Sequence, residues 1–164
     1  MNISRLNKSF GIHSLNKLSE ATDPSLKGAF ACLESSYYAF NNRNIKVLKE
    51  VWYQNDLSQL NNPLGGVIHG IQSIVDLYDK VFKSNASVTV EFGDIVYYEE
   101  TKTVVFAGVE NGEFKKDENT IPLHIRTTRF FGYIDERQRW FQLHHHGSID
   151  DAALLKQYQE AVKV

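Results

Sequence analysis

At 164 residues the chain is expected to form one domain, large enough to bury a core of its own. Hydrophobic residues make up 42% and charged residues 23%, and the formal net charge of −2 leaves no basic footprint for nucleic acid. The single cysteine, Cys32, excludes an internal disulfide and fits a reducing compartment.

Residues 1–22 are polar and weakly patterned, which predicts an N-terminal arm with a short helix around Ser14 to Leu18. Met1 to Lys8 carries no apolar h-region, and no run approaches a membrane span, so a cytoplasmic protein without membrane contact is expected. Residues 23–164 then form a single domain. Asp23-Pro24 predicts a helix start, with Asp23 as N-cap, and Leu26, Phe30, Leu33, Tyr37 and Phe40 continue at helical spacing to Asn41. Cys32 falls inside that pattern and reads as a buried, inert thiol. Asn44 caps a second helix, residues 45–53; Asp56 to His69 reads as a loop; residues 70–83 form a third helix. Strands are predicted over 87–98, 103–111, 121–134 and 139–146, with Glu99 to Lys102 as a turn and Asn111-Gly112 opening a longer connection. Residues 151–162 close the chain as a short helix. Helices followed by a meander of long strands predict an α+β fold with the helices on one face of an antiparallel or mixed sheet.

Several stretches carry a family resemblance. They are Tyr38 to Asn44 between the first helices, Gly70-Ile71 opening the third, Arg126-x-Thr128, and Trp140 leading to His144-x-His146-x-Ser148. Residues 25–160 resemble the nuclear transport factor 2-like superfamily. Its members include ketosteroid isomerase, scytalone dehydratase, SnoaL-type polyketide cyclases and the association domain of calcium/calmodulin-dependent protein kinase II. The resemblance implies a cone-shaped, curved sheet with the N-terminal helices on its concave face. The isomerase's catalytic Tyr and Asp have no counterpart motif here.

Strict alternation along the last strand places His144 and His146 on one face with Trp140 and Gln142, and His145 on the other with Phe141 and Leu143. With the family's hairpin pairing, Arg126, Thr128 and Phe130 join the first face, which is expected to line a pocket. Arg126 there either clamps a planar anion or pairs with Glu110 on the next strand. His144 and His146 are the candidate catalytic residues, as base and orienting partner; the competing readings are structural histidines, or a metal pair completed by His124 or Glu110. No spacing singles out a metal site, and no cofactor is expected. Tyr37, Trp52, Tyr53 and Tyr78 are expected to wall the pocket, because a tyrosine hydroxyl needs a partner. Apolar residues on both hairpin faces, Phe131 and Tyr133 among them, predict that the outer face meets a second subunit.

Two functions follow. One is a SnoaL-like protein that binds a small, partly apolar, anionic ligand and carries out isomerase- or lyase-type proton transfer. The other is an association module that dimerises through the outer sheet face. RNA binding through Arg129 to Tyr133 is opposed by the acidic balance.

Overall fold

The computed structural model describes residues 1–163, which contain β1 (Asn2–Leu6), α1 (Leu26–Asn41), α2 (Ile45–Val51), β2 (Gln59–Asn61), β3 (Val67–His69), α3 (Ile71–Lys83), β4 (Ser87–Glu100), β5 (Thr103–Lys116), β6 (Asn119–Ile134), β7 (Arg139–Ser148) and α4 (Ala152–Lys163). The strands form one open, mixed sheet in the order β1-β4-β5-β6-β7-β2-β3, in which β2 runs parallel to β7 and every other pair is antiparallel. This is the expected α+β cone, with α1 lying across the concave face.

Local chemistry sets the helix starts. Ser25, not Asp23, caps α1, its Oγ accepting from the Lys27 amide, while Asp23 Oδ1 accepts from the Ser25 amide two residues earlier. Asn44 caps α2 as expected, its Oδ1 accepting from the Val47 amide at 3.0 Å. Gly28 lets α1 come close to the sheet: a Cβ there would lie 2.0 Å from the Asp23 carbonyl and 2.8 Å from the Trp140 ring.

Three predictions are corrected. Asn111-Gly112 does not open a loop; both residues stay paired to β6, and the turn falls at Asp117, in the left-handed region at φ 54°. Gly112 is there because β4 crosses so closely that a Cβ would sit 1.9 Å from the Thr89 carbonyl. The predicted loop from Asp56 to His69 contains the short β2–β3 hairpin, which extends the sheet beyond β7. The N-terminal residues pack as part of the domain: β1 pairs with β4, and Phe10 bridges to Phe92 and is fully buried. Half-buried Lys17 and more exposed Lys8 both reach the buried carboxylate of Glu34 on α1, at 3.1 and 2.9 Å.

Most of the core lies between α1 and the sheet, around Leu33, Tyr37, Trp52, Phe92, Phe106, Phe131 and Trp140. A smaller cluster under α4 joins Phe114, Ile121, Leu123, Ile125 and Tyr158.

One irregularity decides which side chains face inward. On β7, Gln142 pairs with Phe131 and His144 with Phe130, so Leu143 has no opposite residue. This β-bulge resets the alternation. Trp140, Gln142 and His145 face the concave side and are buried, while His144 is half-buried and His146 exposed on the outer face. The shared inner face expected for Gln142, His144 and His146 is therefore split. Arg126, opposite Ser148, and Thr128, opposite His146, also point outward. On β6 the inward residues are Ile125, Thr127, Arg129 and Phe131.

Candidate functional site

Across the floor of the cone, β5 supplies Glu110, β6 Arg129 and β7 Gln142 and His145, while α1 lays Tyr37 over them; all five are buried. Tyr37 Oη donates to Glu110 Oε1 at 2.6 Å, and Arg129 Nη2 donates to the same oxygen at 3.1 Å. Arg129 Nε donates to Tyr37 Oη at 2.9 Å and Nη1 to Gln142 Oε1 at 2.8 Å. The guanidinium also stacks on the Tyr37 ring, 4.6 Å from its centre.

Burial lifts the Tyr37 phenol well above its ordinary range, so it stays protonated and donates. Burial works against the Arg129 cation, but Tyr37 and Glu110 outweigh it, and its pKa rises further. His145 goes the other way. Burial first, then the Arg129 charge and the neighbouring His144 and His146, push it well below the ordinary histidine value, so it is neutral. Its Nε2 lies 4.0 Å from Glu110 Oε1, and neither ring nitrogen has a hydrogen-bond partner. Gln142 Nε2 is likewise buried without one.

Beside this floor is a partly enclosed chamber of about 90 Å³. Its polar lining is Asn62, Glu110, Arg129, His145 and the tyrosines of α3 and α4, Tyr78 and Tyr158; Phe40, Leu60, Val90 and Ile125 contribute to its apolar walls. Burial and the Glu110 charge push Tyr78 and Tyr158 up to about 12, although Arg129 opposes the shift at Tyr78. Among the described residues, no group of three His, Cys, Asp or Glu side chains could hold a metal ion. No helix is long and apolar enough to cross a membrane.

The model of the SnoaL-like domain matches residues 30–152. The chain belongs to that family. Solved structures with the same fold include a nuclear transport factor 2-like family protein from Streptomyces avermitilis, at TM-score 0.69 and 14% identity, covering 77% of this chain and 97% of that one. A protein with a cystatin-like fold from Caulobacter vibrioides aligns at TM-score 0.63 and 14% identity, covering 88% and 99%. A Thiobacillus denitrificans chain bearing the name of the calcium/calmodulin-dependent protein kinase type II association domain aligns at TM-score 0.60 and 18% identity, covering 73% and 92%. No curated protein matches the sequence.

Of the residues singled out in the sequence, this SnoaL-like structure brings Tyr37, Tyr78, Glu110 and Gln142 to the floor and chamber. Trp52 is core, its backbone bridged to Gln142. Tyr53 packs against Phe141 in a surface groove, with ring centres 5.5 Å apart. Arg126, Thr128, His144 and His146 lie on the outer face, where Asn61 Nδ2 is 3.5 Å from His146 Nδ1. Arg126 cannot pair with Glu110, because it sits opposite Val109, whose side chain points away from that carboxylate. His124, the supposed third metal ligand, instead bonds Asn111 at 2.8 Å.

Arg129, His145 and Tyr158 were not assigned to the pocket. Arg129 was legible: Ile121, Leu123 and Ile125 mark the odd positions of β6 as inward, and residue 129 shares that parity. His145 was not, because its direction depends on the bulge.

Proposed function

We propose that this SnoaL-like protein binds a compact, uncharged, partly apolar molecule in the chamber and moves a proton on it, as in an isomerase or lyase step next to a carbonyl. The observation that carries the reading is His145, a buried, neutral imidazole that lines the chamber and whose two nitrogens have no protein partner. Buried polar groups are hydrogen-bonded in nearly all native structures, and this reading assigns the missing partner to a small molecule admitted to the chamber. A neutral imidazole is the form that accepts a proton. The Glu110 carboxylate 4.0 Å away would stabilise the imidazolium that results. An uncharged ligand fits better than the expected anion, because Arg126 is outside and the charge of Arg129 is cancelled by Glu110.

Deuterium incorporation next to the carbonyl of small ketones, hydroxyacetone first, tests the proton transfer by NMR in D₂O. The wild type is expected to exceed the buffer rate by about 10²-fold or more, and His145→Gln to fall to the buffer rate. Arg126→Ala and His146→Ala should keep the wild-type rate. Exchange at the buffer rate in the wild type would sink the catalytic part of this reading.

A second reading, association of two copies through the outer face, is favoured by one observation. Ile3, Tyr98, Val105 and Phe130 lie side by side on adjacent strands and make an apolar row across that face, with Ile3 58% and Tyr98 38% exposed. Phe131, earlier assigned to that face, is fully buried inside. Light scattering on Phe130→Glu and Tyr98→Glu tests the association: a dimer in the wild type and monomers in both variants support it.

A further inference from the structure

The chamber's roof comes from outside the matched span. The family match ends at residue 152, where α4 begins with Ala152. Among the described residues of α4, Tyr158 is the one that reaches the chamber. Its ring packs on Phe114, with centres 5.3 Å apart and planes at 58°. Its hydroxyl makes no hydrogen bond among the described residues, yet it lies close enough to Glu110 to feel that charge. A protonated phenol that lines one chamber with a carboxylate, an imidazole and a second phenol completes a set of donors and acceptors there.

The roof is lightly anchored. Asp151 Oδ1 caps α4 by accepting from the Ala153 and Leu154 amides, and Gln159 Nε2 donates to the Leu64 carbonyl at 2.9 Å. Tyr158 is its one buried residue among those described, while Leu154, Leu155 and Ala161 are half-buried. An element held this way opens at a free energy well below that of global unfolding.

The chamber measures about 90 Å³. An apolar cavity of roughly 150 Å³ holds one benzene, so the chamber takes about four heavy atoms while Tyr158 is seated. We propose that α4 is the roof of the ligand chamber and that Tyr158 both contacts the ligand and sets its size, restricting the site to small neutral molecules that carry a donor and an acceptor, such as primary amides and hydroxy-carbonyls. This rests on the ligand-site reading above. The acceptor faces the Tyr158 and Tyr78 hydroxyls, and the donor faces the Glu110 carboxylate. Larger molecules enter only when the helix leaves.

The test uses the full chain and two probes with one polar head: acetamide, which fits the seated chamber, and benzamide, which does not. Binding is read from the NMR amide shifts of Glu110, Arg129 and His145. The wild type is expected to bind acetamide and to bind benzamide at least tenfold more weakly. Tyr158→Ala should bind benzamide at least tenfold more tightly than the wild type does. Tyr158→Leu keeps an apolar anchor and should shift benzamide in the same direction even where alanine unseats the helix. Tyr158→Phe should still exclude benzamide but lose acetamide affinity several-fold, the effect of one hydrogen bond. Equal binding of both amides by the wild type, or benzamide affinity unchanged in Tyr158→Ala and Tyr158→Leu, overturns the roof and leaves the ligand site standing. Chamber signals unmoved by either amide in every protein overturn both.

Discussion

Arg129→Met isolates the term that holds the floor of the cone together. Arg129 is 5% exposed and Glu110 4%, so removing the guanidinium leaves a carboxylate in the interior with only the Tyr37 hydroxyl on it. Breaking a buried pair from one side costs about 3–5 kcal/mol, and Gln142 Oε1, which loses its donor, adds about 1–3 kcal/mol. The sum takes a large share of a typical stability of about 5–15 kcal/mol. With a urea slope of about 2 kcal/mol per molar, the midpoint should fall by about 2–4 M. Trp52 and Trp140 are both fully buried, so their fluorescence reports the transition. Arg129→Met combined with Glu110→Met removes the stranded charge and should recover about 2 kcal/mol over the single variant. A single variant that loses less than about 1 kcal/mol, or a double variant no more stable than the single, refutes the reasoning that the charges are mutually compensated.

His145 gives a pH dependence. Its folded pKa lies below the ordinary value, so the unfolded chain binds its proton more readily. The stability contributed by neutral His145 is therefore full above about pH 6.5 and is lost as pH falls toward the folded pKa, at up to about 1.4 kcal/mol per pH unit. Urea midpoints across that range should flatten in His145→Gln. Gly28→Ala, forcing a Cβ to within 2.0 Å of the Asp23 carbonyl, should lower the melting temperature sharply or prevent folding, by a cost of about 3 kcal/mol or more. Asn44→Ala removes the α2 cap and should cost about 1 kcal/mol in the same urea assay, with the chamber unaffected.

Much of the fold was legible because the long elements carry strong periodic patterns. The α1 and α3 stripes, and the alternation along β6, each point one way. The missing pieces are set by long-range geometry. β1 and β2 are short and polar, and become strands only because β4 and β7 offer them edges. The Asn-Gly pair at 111–112 carries a turn signature, but it is overridden by the approach of the Thr89 carbonyl, which only glycine tolerates at residue 112. For the site, Glu110, Gln142, Tyr37 and Tyr78 could be named from residue type and position in the periodic pattern, whereas His144 and His146 were favoured over His145 by strict alternation. One unpaired residue, Leu143, reversed that choice. A bulge is a property of two strands together, and β7 alone carries no Gly or Pro before Gly147 to announce it.

The division between shared domain and added ends bears on what the site selects. Glu110, Arg129, Gln142 and His145 all fall within the span matched to the SnoaL-like family. Most of the chamber's lining also lies within that span, and each of the two flanks adds one aromatic contact. At the N-terminal side Phe10 stacks on Tyr37, with centres 6.3 Å apart, and Tyr37 stacks in turn on Phe92 at 5.4 Å, so the arm braces the ring whose hydroxyl holds Glu110. At the C-terminal side Tyr158 covers the chamber from above. The polar floor fixes protonation states through burial and mutual charge, and it can do so whatever sits over it. On the roof proposal, Tyr158→Leu therefore changes which molecule fits while Glu110, Arg129 and His145 keep their places, whereas a change at Phe10 acts on the floor itself through Tyr37.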